Sequence, residues 1–153
     1  MLGLQMAIRR ATAADIPDLM ELENDSATAA HWSMKQYETA FSGEPPPRVI
    51  LIIQEDAGVQ GFIAGRTLGE EWEIENIAVA GLERRRGFGT RLVEEFLDLA
   101  RGRGADTVFL EVRESNLAAR RLYAKWNFVE RGRRRLYYHD PEEDAIVYQL
   151  GLT

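Results

Sequence analysis

The sequence predicts a mixed α/β layer fold with mostly antiparallel strands. Three observations predict it. Stretches with alternating apolar residues and stretches with apolar residues every third or fourth position succeed one another in the order β α α β β β α β α β β. The 153 residues suffice for one well-filled core, and no repeat, low-complexity tract or long linker divides them, so residues 1–153 read as a single domain. Apolar residues at 45% and charged residues at 29% are ordinary globular composition and exclude a disordered chain.

Each element has a local cause. Met6 to Arg10 reads as a short first strand, preceded by a poorly ordered extension over residues 1–5, with Met6 as an alternative start. Thr12-x-x-Asp15 has the spacing of a helix start, with Ile16, Leu19, Met20 and Leu22 at helical intervals. Pro17 is tolerated because it falls in the first turn. After a loop from Asn24 to Ala30, Ser33 and Gln36 form a capping box for a second helix anchored by Met34, Tyr37 and Phe41. Gly43 to Pro47 stops that helix, since Pro45, Pro46 and Pro47 cannot continue it.

Three antiparallel strands follow at Val49–Gln54, Val59–Leu68 and Trp72–Ala80, with turns at Asp56-Ala57-Gly58 and Gly69-Glu70. Trp72 and Ile74 share one parity, whereas Ile77 and Val79 have the other. Such a phase flip implies either an extra residue, a β-bulge near Glu75-Asn76, or a strand buried on both faces. Gly87 to Arg101 is an amphipathic helix with Leu92, Val93, Phe96, Leu97 and Ala100 on one side, stopped by Gly102 or Gly104. Thr107–Val112 is an apolar strand. Asn116 caps a helix to about Trp126, and Asn127 takes the left-handed stop position. Phe128–Tyr138 and Ala145–Leu150 close the sheet as an antiparallel pair.

Composition narrows the function. With no cysteine there is neither a disulfide framework nor thiolate chemistry, which fits a cytoplasmic location. Two distant histidines, His31 and His139, argue against a metal site, and no apolar run reaches the ~20 residues of a membrane helix. The net charge is −6, but Arg84 to Arg135 carries 14 basic and 7 acidic residues, while the remainder carries 5 and 18. A basic belt on an acidic protein suits an anionic ligand at one place and a cationic one at another, although solvated helix faces would give the same count.

The belt contains Arg84-Arg85-Arg86-Gly87-Phe88-Gly89-Thr90, between a strand and a helix. Glycines let backbone N–H groups approach a ligand, and the helix N-terminus adds unpaired donors and about half a positive charge. That combination suits a diphosphate, with arginines to pair its outer oxygens. The dinucleotide fingerprint Gly-x-Gly-x-x-Gly fails at Leu92, and the Gly-x-x-x-x-Gly-Lys-Ser/Thr loop is absent.

Asn76-Ile77-Ala78-Val79 followed by Arg84-x-x-Gly87-x-Gly89 and a helix resembles the acetyl-CoA site of the GNAT superfamily of N-acetyltransferases. Leu110-Glu111-Val112-Arg113-x-Ser115-Asn116-x-Ala118-Ala119-x-x-Leu122-Tyr123, then Trp126-Asn127-Phe128, resembles its second half. With Arg135-Leu136-Tyr137-Tyr138 and Glu143-Asp144-Ala145-Ile146, the chain is most similar to the branch that acetylates the N-terminal alanine of a ribosomal protein. It departs at Asn127, where the family more often has Gly, and His31-Trp32-Ser33 only loosely matches the branch's substrate loop.

The resemblance implies a twisted, mixed, mostly antiparallel sheet with helices on both faces, splayed between its fourth and fifth strands, with acetyl-CoA as co-substrate in the gap. Ile77, Ala78 and Val79 would offer backbone to the pantetheine arm, Arg84 through Thr90 would hold the diphosphate, and Asn116 would hydrogen-bond the arm. Glu111 would be the general base, directly or through water; as a carboxylate in an otherwise apolar strand it must be used or paired, and pairing with Arg113 or another arginine is the structural alternative. Tyr123 would be the general acid for the departing thiolate, although a tyrosine on an apolar helix face also suits a core. Trp32 and Tyr137, with Tyr138, would line the acceptor groove. The expected acceptor is a protein N-terminus, against a small-molecule amine or a CoA-binding regulator without turnover. Neither metal, membrane nor nucleic acid is expected, and the chain is expected to be a monomer or weak dimer.

Overall fold

The computed structural model describes residues 6–26, 29–43, 48–81 and 87–152. The expected extension at 1–5, the prolines at 45–47 and Arg84, Arg85 and Arg86 lie outside the described residues. The elements are β1 (Ala7–Arg10), a 3-10 turn (Ala13–Asp15), α1 (Ile16–Asn24), α2 (Met34–Phe41), β2 (Arg48–Glu55), β3 (Gly58–Leu68), β4 (Glu71–Val79), α3 (Phe88–Gly102), β5 (Thr107–Arg113), α4 (Leu117–Lys125), β6 (Val129–Tyr138) and β7 (Glu143–Gly151).

They form a seven-stranded sheet in the order β1-β2-β3-β4-β5-β7-β6. Every neighbouring pair is antiparallel except β4 and β5, which run parallel. That parallel contact is short: Glu71, Trp72 and Glu73 pair with Thr107, Val108 and Phe109, and the pairing ends there. Beyond Glu73 the two strands part, as expected.

The bulge is real. Asn76 stands opposite Ala64 and Ile74 opposite Gly65, which leaves Glu75 as the extra residue of β4. The strand is also buried along both faces from Trp72 to Ile74 and from Asn76 to Val79, so both readings of the phase flip hold together. Gly65 permits the close approach there: a methyl group on it would collide with the Glu73 carbonyl oxygen and the Phe96 ring.

Two cores flank the sheet. On one face, Leu92, Val93, Phe96 and Ala100 of α3, with Ala119 and Tyr123 of α4, pack on Trp72, Ile74, Val108 and Leu110. On the other, Leu19 and Leu22 of α1 and Tyr37 and Ala40 of α2 cover Ile50, Ile52, Phe62 and Ala78. Capping follows the sequence signals. The Gln36 N–H donates to Ser33 Oγ at 3.2 Å and the Ser33 N–H to Gln36 Oε1 at 2.8 Å. Asn127 has φ +71, and of the two candidate glycines Gly104 (φ +87) makes the left-handed turn after α3, while Gly102 stays helical. Met34 is not an anchor. It is 48% exposed in the first turn of α2, whose buried stripe is Tyr37 and Ala40.

Candidate active site

The parting of β4 and β5 opens a cleft of about 560 Å³. Among its lining residues are Trp32, Ile77, Glu111, Asn116, Tyr123 and Tyr137, six of the residues singled out from the sequence. Ala78 and Val79 continue β4 past Ile77; their strand is paired with β3 on one edge, so the backbone of all three faces the gap on the other.

The α3 N-terminus forms the second part of the site. Gly87 caps it with φ +75, and a side chain there would meet only open space. The first intrahelical bond is Arg91 N–H to Gly87 O at 3.1 Å, so the N–H groups of Gly89 and Thr90 precede it. Phe88 contributes backbone alone, because its side chain is buried in the core. A Cβ on Gly89 would lie 3.6 Å from the Trp126 ring, and the Trp126 indole N–H donates to Thr90 Oγ1 at 2.9 Å. This bond occupies a lone pair on Thr90 and leaves its own hydroxyl proton free to reach an anion.

Glu111 occupies the half-buried face of β5, opposite Val108, Leu110 and Val112, which enter the core. Its side chain is 9% exposed, and its Oε2 lies 3.0 Å from Arg134 Nε on β6. The contact is an ion pair rather than an aligned hydrogen bond, so among the described residues this sealed oxygen accepts none. Arg113 is not the partner. It donates to the carbonyls of Pro141 at 3.0 Å and His139 at 3.1 Å and pairs with Glu143 at 3.3 Å.

Tyr123 is held by edge-on contacts with Trp126 at 5.9 Å and Phe128 at 6.0 Å. Burial first, and Tyr138 second, push its phenol well above the ordinary tyrosine value, so it stays neutral and able to donate a proton. Asn116 spends its carbonyl oxygen on the Ala119 N–H at 3.1 Å, capping α4, which leaves its amide nitrogen for a ligand.

The outer walls come from irregular backbone. Arg135, Leu136 and Tyr137 bulge out of β6 opposite Asp144; Leu136 has φ +49 and its N–H donates to Asp144 Oδ1 at 2.8 Å. The bulge sets Tyr137 at the rim, against Tyr138 at 5.1 Å. Burial, then the charge of Glu111, push Tyr138 up to about 12. Trp32 packs edge-on against Tyr37 at 5.3 Å from the loop before α2. His31 has φ +57 and also lines the cleft.

Sequence reasoning missed Glu73 and Glu75. Alternation with Trp72 and Ile74 places them on what reads as a solvent face, but residues 29–32 and the end of β6 close around it. Glu73 is paired with Arg66 at 2.9 Å and Glu75 with Arg48 at 2.9 Å. Burial above all raises the Glu73 carboxyl, with Glu75 and Glu111 adding to the rise against the pull of Arg66. Three carboxylates therefore converge on one cleft, each beside an arginine that offsets its charge.

The fold, with its cleft between two parted parallel strands, is that of a class of protein, the acetyltransferases. The family model described as "Acetyltransferase (GNAT) family" matches residues 16–128. A ribosomal protein bS18-alanine N-acetyltransferase of Salmonella typhimurium is 34% identical over 144 residues, 93% of this chain and 95% of that protein. The N-alpha-acetyltransferase RimI of Mycobacterium tuberculosis is 44% identical over 83 residues, 54% of this chain and 51% of that protein. The crystal structure of the ribosomal-protein-S18-alanine N-acetyltransferase from Escherichia coli superimposes with a TM-score of 0.82 at 31% identity, covering 97% of this chain and 95% of that one. The chain belongs to the GNAT acetyltransferase family. Among the described residues no helix is long and apolar enough to cross a membrane.

Proposed function

We propose that the protein moves the acetyl group of acetyl-CoA to the N-terminal α-amine of a protein, a ribosomal protein with N-terminal alanine in particular, by direct attack in a ternary complex. The observation that carries this reading is the meeting of Glu111 and Tyr123 in the cleft where β4 and β5 part. Acetyl-CoA supplies the thioester that activates the acetyl carbon. The open space over Gly87 and the backbone N–H groups of Gly89 and Thr90 ahead of the first intrahelical bond fit its diphosphate, and the unpaired edge of Ile77, Ala78 and Val79 fits its arm.

Glu111, directly or through one water, accepts the proton that the acceptor ammonium must lose before the amine attacks the acetyl carbonyl carbon. As the new C–N bond forms and the C–S bond breaks, the nitrogen gives up its second proton to solvent and Tyr123 delivers its phenolic proton to the departing sulfur. Both residues return to their starting state by exchange with solvent. Trp32 and Tyr137 wall the acceptor. The whole-length similarity to the Salmonella bS18-alanine enzyme supports alanine as the first residue of the acceptor.

The test is CoA release from purified protein and acetyl-CoA with a peptide that begins with alanine or serine. Turnover with such peptides supports the reading. Turnover with small amines alone reassigns the acceptor, and binding of acetyl-CoA without turnover on any amine makes the protein a CoA-responsive regulator.

A further inference from the structure

Beneath the loop that walls the cleft lie three buried polar side chains that the chemistry above leaves unused. Glu23, in the last turn of α1, is 2% exposed; Asn76, beside the β4 bulge, is 3% exposed; Tyr37 of α2 is fully buried. The Asn76 side-chain nitrogen donates to Glu23 Oε1, and its carbonyl oxygen accepts the Ala30 N–H at 2.9 Å. Burial and then the charge of Glu23 raise the Tyr37 phenol, which packs against the same pair. Buried polar groups of this kind are costly and fix a single arrangement where their bonds are made.

What they fix is the loop. Ala30 is itself exposed, and its N–H reaches inward to the buried Asn76. The bond ties this exposed stretch of backbone to the sheet. Ala29, Ala30, His31 and Trp32 all line the cleft, as does Asn76. With this stretch pinned, that wall of the cleft cannot draw back, and releasing it would enlarge the space open to an acceptor side chain.

The geometry points to a selectivity latch: the Glu23–Asn76–Ala30 hydrogen bonds hold residues 29–32 where they restrict the acceptor's first residue to a small side chain. This rests on the proposed function, since only then does the loop meet an acceptor's first residue. Asn76 and Glu23 are positioning residues, acting through the loop and not on the reacting atoms.

The measurement is the ratio of kcat/KM for two peptides that differ only in beginning with alanine or leucine. Asn76→Ala lowers that ratio at least ten-fold, chiefly by lowering KM for the leucine peptide, and leaves the KM for acetyl-CoA within two-fold. Glu23→Leu does the same. Glu23→Gln, which keeps an acceptor for the Asn76 amide, leaves the ratio within two-fold. Folded Asn76→Ala and Glu23→Leu proteins with an unchanged ratio overturn the latch, because a merely structural loss slows both peptides alike. Should both variants fail to fold, hydrogen exchange at the Ala30 amide of the unaltered protein decides. Protection of about a hundred-fold or more over an open loop supports the latch, and exchange at the open-loop rate overturns it. An unaltered protein that acetylates no peptide refutes the proposed function and the selectivity with it, while Ala30 exchange still reports whether the bond exists.

Discussion

Replacing Tyr123 with phenylalanine removes one oxygen and keeps the ring, which makes it a direct probe of the acid role. The edge contacts of the ring with Trp126 at 5.9 Å and Phe128 at 6.0 Å persist, so unfolding free energy changes by no more than about 1 kcal/mol. The kinetic loss is larger. General acid catalysis contributes about 10²–10⁴-fold, and its size depends on the match between donor and recipient pKa. Burial raises the Tyr123 phenol further above an alkyl thiol, and each unit of that mismatch makes proton delivery costlier by about 1.4 kcal/mol. The low end of the range therefore applies, a fall in kcat of about 100-fold. The assay is steady-state CoA release at saturating peptide, with acetyl-CoA affinity measured separately and unchanged. With an acetyl thioester of a more acidic thiol, which needs less help to leave, the deficit shrinks. A kcat within two-fold of the parent, or a deficit independent of the thiol, refutes Tyr123 as the acid.

Glu111→Gln keeps the shape and leaves only the exposed Arg134 unpaired, so stability holds while kcat/KM falls by about 10²–10⁴-fold; a kcat/KM within two-fold of the parent counts against the base. Trp126→Phe removes the indole N–H that holds Thr90 and weakens CoA binding by about five-fold, the equivalent of ~1 kcal/mol. Titration calorimetry with CoA reads this directly, and equal affinity would show that Thr90 does not depend on Trp126. Glu73 has a folded-state carboxyl raised above the ordinary 4.5, so just above pH 4.5 the folded protein holds a proton that the unfolded chain has lost. Its contribution to stability is present below pH 4.5 and is lost as pH rises through the raised value. Denaturation midpoints of Glu73→Gln, compared with the parent at pH 4.5 and 7, shift in favour of the variant at the higher pH; a constant difference contradicts the raised value.

Local signals in the chain were enough for every element of the fold. The change from two-residue to helical periodicity separates β4 from α3 and β5 from α4 because burial on one face leaves that imprint directly in the sequence. Ser33 with Gln36, Gly87 and Asn127 mark helix ends because each solves a problem of nearby backbone donors or backbone angle. The bulge at Glu75 was legible as a flip of phase, since an extra residue reverses every side chain after it. Met34 was misread, because a helical stripe shows which residues share a face but not how far along the helix the packed layer reaches.

The candidate site divides along the same line. The resemblance to the acetyltransferase motif marked Glu111, Tyr123 and Asn116, and the glycine pair marked a candidate anion cradle. Contacts made across the sheet were invisible: Arg134 rather than Arg113 beside Glu111, Glu73 and Glu75 turned into the cleft, and Asn76 joined to Glu23 and Ala30. The sequence alone determined the order of elements and the chemical groups available, because helix, turn and strand preferences act over a few residues. Tertiary structure alone decided where β4 and β5 separate and which carboxylates face the gap, because strand pairing and burial join residues dozens of positions apart.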